Sequence, residues 1–198
     1  MKTLLLTLLL AIATIGYSQN TSCLQVDIML VGDYSGSVDG QQEHIADAMD
    51  AFVSRFGLSE MAVKIGIVTF NSSVTLHSGL TTNKAKLNAA IQNIREGIPS
   101  GTTGLDAALY VAGEELLYGR KVPKLLVLIT DGAPDNKTTA ASVAKEIKVF
   151  GNITICGILV TNYTSDAEWL ESICTDGCYS QSSYEALAEE LKQLDICF

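Results

Sequence analysis

The chain has 198 residues, 47% of them hydrophobic, and a formal net charge of −9 at pH 7. This length and composition fit one globular domain with a sizeable core. The acidic balance argues against nucleic acid or an anionic membrane as a partner, because binding to phosphates requires an excess of Lys and Arg.

The first residues carry the pattern of a secretory signal peptide. Residues 4–15 form a Leu-rich apolar run, and Gly16 and Ser18 place small residues at the −3 and −1 positions of a cleavage site. The run is shorter than the roughly 20 residues that a membrane-spanning helix needs. We therefore expect a signal peptide over 1–18 and one mature domain over 19–198, without a membrane span. The mature protein would be secreted to the extracellular space, or to the periplasm if the source is bacterial.

Apolar runs of strand length alternate with amphipathic stretches along the rest of the chain. In chain order, the pattern predicts a strand at 26–31, a helix at 41–56, strands at 61–70 and 74–80, helices at 83–94 and 105–117, a strand at 124–130, a helix at 138–150, a strand at 153–160, a helix at 167–173, a weak strand at 178–182 and a helix at 184–194. This alternation favours a three-layer α/β fold with helices on both faces of a doubly wound, mostly parallel central sheet. The hairpin within 61–80 would supply one antiparallel edge strand.

A cluster of oxygen-bearing side chains follows the first predicted strand, in the sequence DYSGS. On extended backbone, Asp33, Ser35 and Ser37 would all point to the same side. Three hard oxygen ligands suit a small hard cation such as Mg²⁺ and suit zinc or copper poorly. They leave the cation under-coordinated, so other segments have to complete its shell.

Two further loops offer the missing oxygens. Asp131 follows the predicted strand at 124–130, and the adjacent Thr102 and Thr103 lie in a Gly-flanked loop before a predicted helix. Ligands of doubly wound sheets bind beyond the carboxyl ends of the strands, where these loops open. Ordinary capping of loop and helix amides is the alternative interpretation of these Ser, Thr and Asp side chains.

The segments DYSGS, SGTTGLDAAL and ITDGAPD together resemble the von Willebrand factor type A domain family with its metal-ion-dependent adhesion site (MIDAS). The resemblance covers about residues 23–198. It implies the family fold and a divalent cation, Mg²⁺ with Mn²⁺ or Ca²⁺ as alternatives. The metal ligands that it implies are Asp33, Ser35, Ser37, Thr103 and Asp131. Thr102 stays open as the alternative threonine.

The resemblance also implies a function in which the bound cation accepts an acidic residue of a partner protein, extracellular matrix or surface component. Tyr34, between the ligand residues, is our candidate for a partner contact. The alternative is a structural or assembly role, or an accessory subunit of an exported complex, in which the metal only stabilises the loops. We do not expect an enzyme, because no nucleophile elbow is present and His44 and His77 are predicted to be surface residues.

Five cysteines and five Asn-x-Ser/Thr sequons bear on export. We predict that Cys23 and Cys197 pair near the chain termini, and that Cys174 and Cys178 bridge a local turn, while Cys156 is a buried thiol. Sequence alone leaves the connectivity open. The sequons would suit a glycosylated secreted protein, and they start at Asn20, Asn71, Asn136, Asn152 and Asn162.

Overall fold

A computed structural model of the chain describes residues 25–160 and 166–194. Its elements are β1 Val26–Asp33, a 3-10 helix Gly36–Val38, α1 Gln42–Ser54, β2 Val63–Phe70, β3 Val74–Thr81, α2 Lys84–Glu96, α3 Leu105–Leu117, β4 Lys124–Thr130, α4 Lys137–Gly151, β5 Ile153–Val160, α5 Ala167–Ile173, β6 Tyr179–Ser182 and α6 Leu187–Gln193. The predicted strands and helices are confirmed, with boundaries that shift by a few residues.

The strands form one six-stranded sheet in the order β3-β2-β1-β4-β5-β6. Strands β2 and β3 run antiparallel, and every other pair in this sheet is parallel. This confirms the predicted mostly parallel sheet with one antiparallel edge strand. Because β1 and β4 are neighbours, with Gly32 opposite Ile129, the loops that follow these two strands begin side by side.

Both faces of the sheet are covered by helices, as predicted. Helices α1, α2 and α6 share one buried core with β1, to which Phe52, Leu87 and Leu191 contribute. Helices α3, α4 and α5 share the core on the opposite face. All eight residues of β1 are buried, so its side chains alternate between two dry layers. The sequence of such a strand is a nearly continuous apolar run, without alternation of apolar and polar residues.

The backbone after β1 differs from the extended geometry predicted for residues 33–37. Ser35 is extended, with φ −69° and ψ 171°, but Gly36–Val38 then turns into a 3-10 helix. The amide of Gly36 donates to Gly101 O at 3.0 Å, and the amide of Val38 donates to Ser35 O at 3.2 Å. The first bond ties the loop to the α2–α3 connection and the second closes the 3-10 turn. A strictly extended segment would forgo both.

The disulfide pairing differs from the prediction for the described cysteines. Cys156 is bonded to Cys178, with their Cα atoms 4.6 Å apart, and Cys174 is a buried free thiol. The predicted Cys174–Cys178 bridge and the predicted free thiol at Cys156 are therefore wrong. The reason lies in the sheet, because Cys156 and Cys178 pack in the core of α1 and α6, whereas Cys174 packs in the core on the other face.

The thiol of Cys174 lies directly against the β5 backbone. A Cβ atom placed on Gly157 would come within 2.5 Å of its Sγ. Burial raises the pKa of the Cys174 thiol to about 11, which disfavours the reactive thiolate at neutral pH.

Several predictions concern residues outside the described ranges. They are the signal peptide over 1–18, the Cys23–Cys197 bridge and the sequons at Asn20 and Asn162, and they stay predictions. In the ranges that are described, no helix is long and apolar enough to cross a membrane.

Candidate metal centre

Asp33 ends β1 and is held on both carboxylate oxygens. The side chain is fully buried. Its Oδ1 accepts a hydrogen bond from the amide of Ser35 at 2.9 Å, and its Oδ2 accepts one from Thr130 Oγ1 at 2.7 Å. Burial raises the pKa of Asp33; these hydrogen bonds oppose the rise, and the nearby charge of Asp131 adds to it. The carboxylate is thus oriented by neutral donors.

A chain of three oxygens links the loop after β1 to the loop after β4. Ser35 Oγ lies 2.9 Å from Ser37 Oγ, and Ser37 Oγ donates to Asp131 Oδ1 at 3.0 Å. Ser35 is buried whereas Ser37 is exposed, so the chain runs from the interior of the sheet edge toward solvent. Burial also raises the pKa of Asp131, which the Ser37 hydrogen bond partly offsets. The structure therefore brings four of the five predicted ligands into one hydrogen-bonded group.

The two candidate threonines have different surroundings. Thr103 lines the same cleft as Ser37 and Asp131. The exposed Thr102 instead has its Oγ1 3.3 Å from Ser72 Oγ, and its amide donates to that same oxygen at 2.9 Å. Thr103 is therefore the better placed of the two to join the candidate site.

Asp135 fixes the backbone at Thr103. The amide of Thr103 donates to Asp135 Oδ2 at 3.2 Å, and the amide of Asp135 donates back to Thr103 O at 3.1 Å. This reciprocal pair joins the loop before α3 to the loop before α4. The position of Thr103 relative to Asp131 is thereby set by the side chain and the amide of Asp135.

An open cleft of about 640 Å³ lies over this edge of the sheet. Besides the candidate ligands, its lining includes Asp166, Ser183, Tyr184 and Glu185. These residues come from the start of α5 and from the segment after β6, which sequence analysis did not connect with the site. The cleft therefore reaches from the loops with the candidate ligands to the segment after β6, the strand at one edge of the sheet.

Tyr184 contributes an enclosed hydroxyl to this cleft. Its Oη is buried and interacts with the Asp131 carboxylate. Burial raises the pKa of Tyr184, and the charges of Asp131 and Asp33 raise it further. The phenol is therefore protonated at neutral pH and can donate to the Asp131 carboxylate.

Tyr34, the predicted partner contact, has a packing role in the structure. Its half-buried ring packs against the core of α1 and α2, and its hydroxyl donates to Ile94 O at 2.7 Å. The backbone of Tyr34 also bonds to Phe70 O and to the amide of Ser100. These contacts tie its ring to the end of α2, and Tyr34 is not among the residues that line the cleft.

Sequence analysis missed three residues that shape the site, namely Thr130, Asp135 and Tyr184. Thr130 had a local signal, because a hydroxyl ends the otherwise apolar run of β4. Asp135 belongs to the segment ITDGAPD that was already noted. Tyr184 had no such signal, because its position depends on where β6 ends.

The donor set suits a hard divalent cation in its chemistry. It comprises two carboxylates and three hydroxyls, all oxygen donors of the kind that Mg²⁺ and Ca²⁺ prefer. Within residues 25–160 and 166–194, no cluster of three or more His, Cys, Asp or Glu side chains could hold a metal. Neither Asp33 nor Asp131 forms a salt bridge in the described part of the chain. Both carboxylates are thus held by neutral donors alone, which is compatible with a cation.

The curated relatives of this chain are much longer proteins. Sporozoite surface protein 2 of Plasmodium yoelii yoelii is 24% identical over 155 residues, which cover 73% of this chain and 19% of the relative. The chain spans about a fifth or less of the length of the curated relatives that it matches.

Solved structures share the fold at low sequence identity. The vWF domain of the type V pili tip protein Mfa5 from Porphyromonas gingivalis has a TM-score of 0.76 at 15% identity, covering 85% of this chain and 93% of that one. Manganese-loaded TRAP from Plasmodium vivax has a TM-score of 0.70 at 23% identity, covering 85% and 73%. Proximal thread matrix protein 1 from the mussel byssus, with a zinc-occupied MIDAS motif, has a TM-score of 0.73 at 21% identity, covering 87% and 47%.

The sequence model of one family covers nearly all of the described chain. The model of the von Willebrand factor type A domain matches residues 27–194, from the start of β1 to the end of α6. The sheet order and the three loops at its edge agree with this match. The chain belongs to the von Willebrand factor type A domain family.

Proposed function

We propose that this chain is a secreted, non-catalytic protein-binding module whose binding depends on a divalent cation. The cation, Mg²⁺ with Mn²⁺ or Ca²⁺ as alternatives, would accept an acidic residue of a partner protein or matrix component. The residues that would hold it are Asp33, Ser35, Ser37, Thr103 and Asp131. The observation that carries the proposal is the chain of oxygens from Ser35 through Ser37 to Asp131, with Thr103 lining the same cleft.

The electrostatics of the two carboxylates support a cation at this position. Burial raises the pKa of both Asp33 and Asp131, and each carboxylate is charged at neutral pH only at a cost in desolvation. A divalent cation between them would offset that cost. When bound, it would supply a Lewis-acidic position for a carboxylate oxygen of the partner.

The relatives support two general parts of the proposal, a divalent metal and a role in interactions. Two of the similar structures contain a divalent metal, manganese in one and zinc at a MIDAS motif in the other. A sporozoite surface protein and a pili tip protein are also among the relatives, which favours an interaction role outside the cell. The preferred ion and the partner of this chain are part of the proposal.

Substituting Asp131, the half-buried carboxylate of the candidate centre, tests this function. We expect Asp131→Ala to weaken Mg²⁺ binding by at least about tenfold in isothermal titration calorimetry, because one of only two anionic ligands is lost. Asp50→Ala is the matched control, since Asp50 lies exposed on α1 and outside the cleft. Mg²⁺ should raise the Tm of the parent chain and of the control.

A pull-down from secreted or surface fractions then separates the two candidate functions. Under the proposal, EDTA or Asp131→Ala abolishes capture of the partner while the fold is retained. Mg²⁺ that raises the Tm without any metal-dependent capture would instead support the structural or assembly role. Unchanged Mg²⁺ affinity in Asp131→Ala would show that the cation does not bind at this edge.

A further inference from the structure

We infer that the chain forms a dimer with a second copy of itself through an exposed apolar surface on helices α3 and α4. We call this the α3–α4 surface and define it by five large hydrophobic residues on these helices or directly after α3, namely Tyr110, Leu117, Tyr118, Val149 and Phe150. The dimer goes beyond the proposed function and is independent of it, because the contact requires no bound cation.

Most of the large apolar side chains that the described residues expose lie on this one surface. Eight such residues are exposed within the described ranges, and five of them form the α3–α4 surface. The other three, Met61, Leu76 and Ile98, lie outside α3 and α4. The exposed fraction reaches 83% for Phe150 and 87% for Tyr118. Single exposed hydrophobic residues are normal on a monomer, whereas a concentration of them marks an interaction site.

The two helices pack closely enough to make this surface continuous. A Cβ atom placed on Gly113 of α3 would come within 2.7 Å of Ile147 Cγ2 on α4. Tyr110 and Leu117 lie about one turn to either side of Gly113, and Phe150 lies about one turn after Ile147. A Cβ atom on the last residue of α4 would also come within 3.3 Å of Leu117 Cδ2. The apolar residues of the two helices therefore border the same helix–helix contact.

The exposed area is large enough for a dimer. At their exposed fractions the five residues together present about 600 Å², since aromatic side chains carry roughly 150–250 Å² each. The largest apolar patch on an ordinary monomer is about 300–600 Å². Two copies placed face to face would bury about 1,200 Å² from these residues alone, which is the lower limit for a specific interface. The polar residues around the surface would add to this area.

The charges around the α3–α4 surface favour a second copy as its partner. Glu114 lies on α3, Lys145 and Glu146 lie on α4, and Lys121 follows α3 closely. None of the four forms an ion pair within the described part of the chain. Their charges sum to zero, so a second copy meets no local repulsion, although the whole chain carries −9. In a two-fold contact each pair of residues meets twice, so the acids of one copy can face the lysines of the other.

The dimer would leave the candidate metal centre accessible. The loop with Thr103 comes directly before α3, whereas Leu117 is the last of its 13 residues. A helix of this length spans about 20 Å. Phe150 likewise lies at the end of α4 that is remote from Asp131. Both copies would therefore keep an open cleft, and under the proposed function the dimer would present two binding sites.

Sedimentation velocity over a concentration series tests for the dimer on the purified chain. We expect a shift from monomer to dimer between about 1 and about 300 µM, because interfaces at the lower limit of size bind weakly. Phe150→Ser should raise the dissociation constant at least about tenfold, since exposed aromatic anchors dominate such contacts. Circular dichroism would confirm that this exposed substitution leaves the fold intact.

Ile98→Ser is the matched control, because it removes a hydrophobic side chain that is 78% exposed and lies outside the α3–α4 surface. It should leave the dissociation constant within about twofold of the parent, and EDTA should have no larger effect. Hydrogen exchange of the parent provides a measurement without a variant. Amides at the ends of α3 and α4 should exchange more slowly at high than at low protein concentration.

Three outcomes would overturn the dimer. The first is a chain that stays monomeric over the whole series. The second is a dimer that Phe150→Ser and Ile98→Ser weaken equally, because the contact would then lie elsewhere. The third is a dimer that EDTA dissociates, which would place the contact at the metal edge. None of these outcomes bears on Mg²⁺ binding by a single copy, so the proposed function is tested separately.

Discussion

At the scale of single residues, a buried ion pair with several hydrogen bonds lies at the end of the sheet opposite to the candidate metal centre. Asp27 is fully buried near the start of β1. Its Oδ1 accepts from Arg120 Nε at 2.8 Å, and its Oδ2 accepts from the Arg120 amide at 2.8 Å. The guanidinium also donates to the carbonyls of Val26, Glu60 and Ala62. Every charge of this buried pair is therefore satisfied by several hydrogen bonds.

We predict that Arg120→Met destabilises the chain by about 3–5 kcal/mol, because it removes the guanidinium that forms the ion pair with the buried Asp27 carboxylate. Urea unfolding followed by circular dichroism would measure the loss. Arg95→Met is the matched control, since Arg95 forms its ion pair with the exposed side chain of Asp47. The control should lose less than about 1 kcal/mol. Equal losses in the two variants would contradict a special role of the buried pair.

At the scale of elements, the short strand β6 depends on a covalent link. It has four residues and, in the sheet that the described residues form, it lies at the edge beside β5. The Cys156–Cys178 bond joins β5 to the residue that precedes β6. The segment after β6 carries Ser183, Tyr184 and Glu185 into the cleft. The disulfide thus helps to hold one wall of the candidate binding site, although it lies away from the candidate metal ligands.

We predict that the double variant Cys156→Ala, Cys178→Ala loses about 3 kcal/mol of stability, as expected for a loop of this length in the chain-entropy account. Hydrogen exchange should accelerate most at the amides of β6, because an edge strand with few partners opens first. Cys174→Ala is the control, since it removes a buried sulfur without opening a loop. Similar exchange at β6 in both variants would show that the link does not hold this strand.

At the scale of the whole molecule, the sequence was sufficient to predict the layers and the place of the candidate site. Alternating strands and helices lead to a parallel sheet, and the carboxyl ends of β1 and β4 have to meet at one edge. Asp33 is the last residue of β1, and Asp131 directly follows β4. Their proximity therefore required no knowledge of side-chain packing.

The remaining features depend on contacts that local patterns do not encode. The disulfide partner of Cys178 was determined by the face of the sheet on which each sulfur lies. Glu185 and Tyr184 reach the cleft because β6 pairs beside β5 and ends at that edge. The spacing of these residues in the sequence shows neither that β6 pairs with β5 nor where β6 ends. The disulfide and the residues after β6 that line the cleft depend on long-range packing and therefore could not be predicted from the sequence.

The two polar centres lie at opposite ends of β1, and this separation leads to a prediction for the whole molecule. Asp27 and Asp33 are six residues apart on one strand, which corresponds to about 20 Å. Sites so far apart, with no shared partners, usually contribute independently to stability.

We therefore expect the losses of Arg120→Met and Asp131→Ala, measured by urea unfolding in EDTA, to add within about 0.5 kcal/mol in the double variant. Arg120→Met should also leave the Mg²⁺ affinity within about twofold of the parent, since it changes no candidate ligand. A coupling energy above about 1 kcal/mol would contradict this independence and would mean that the parallel strands β1 and β4, which both run between the two centres, transmit the effect of one substitution to the other end.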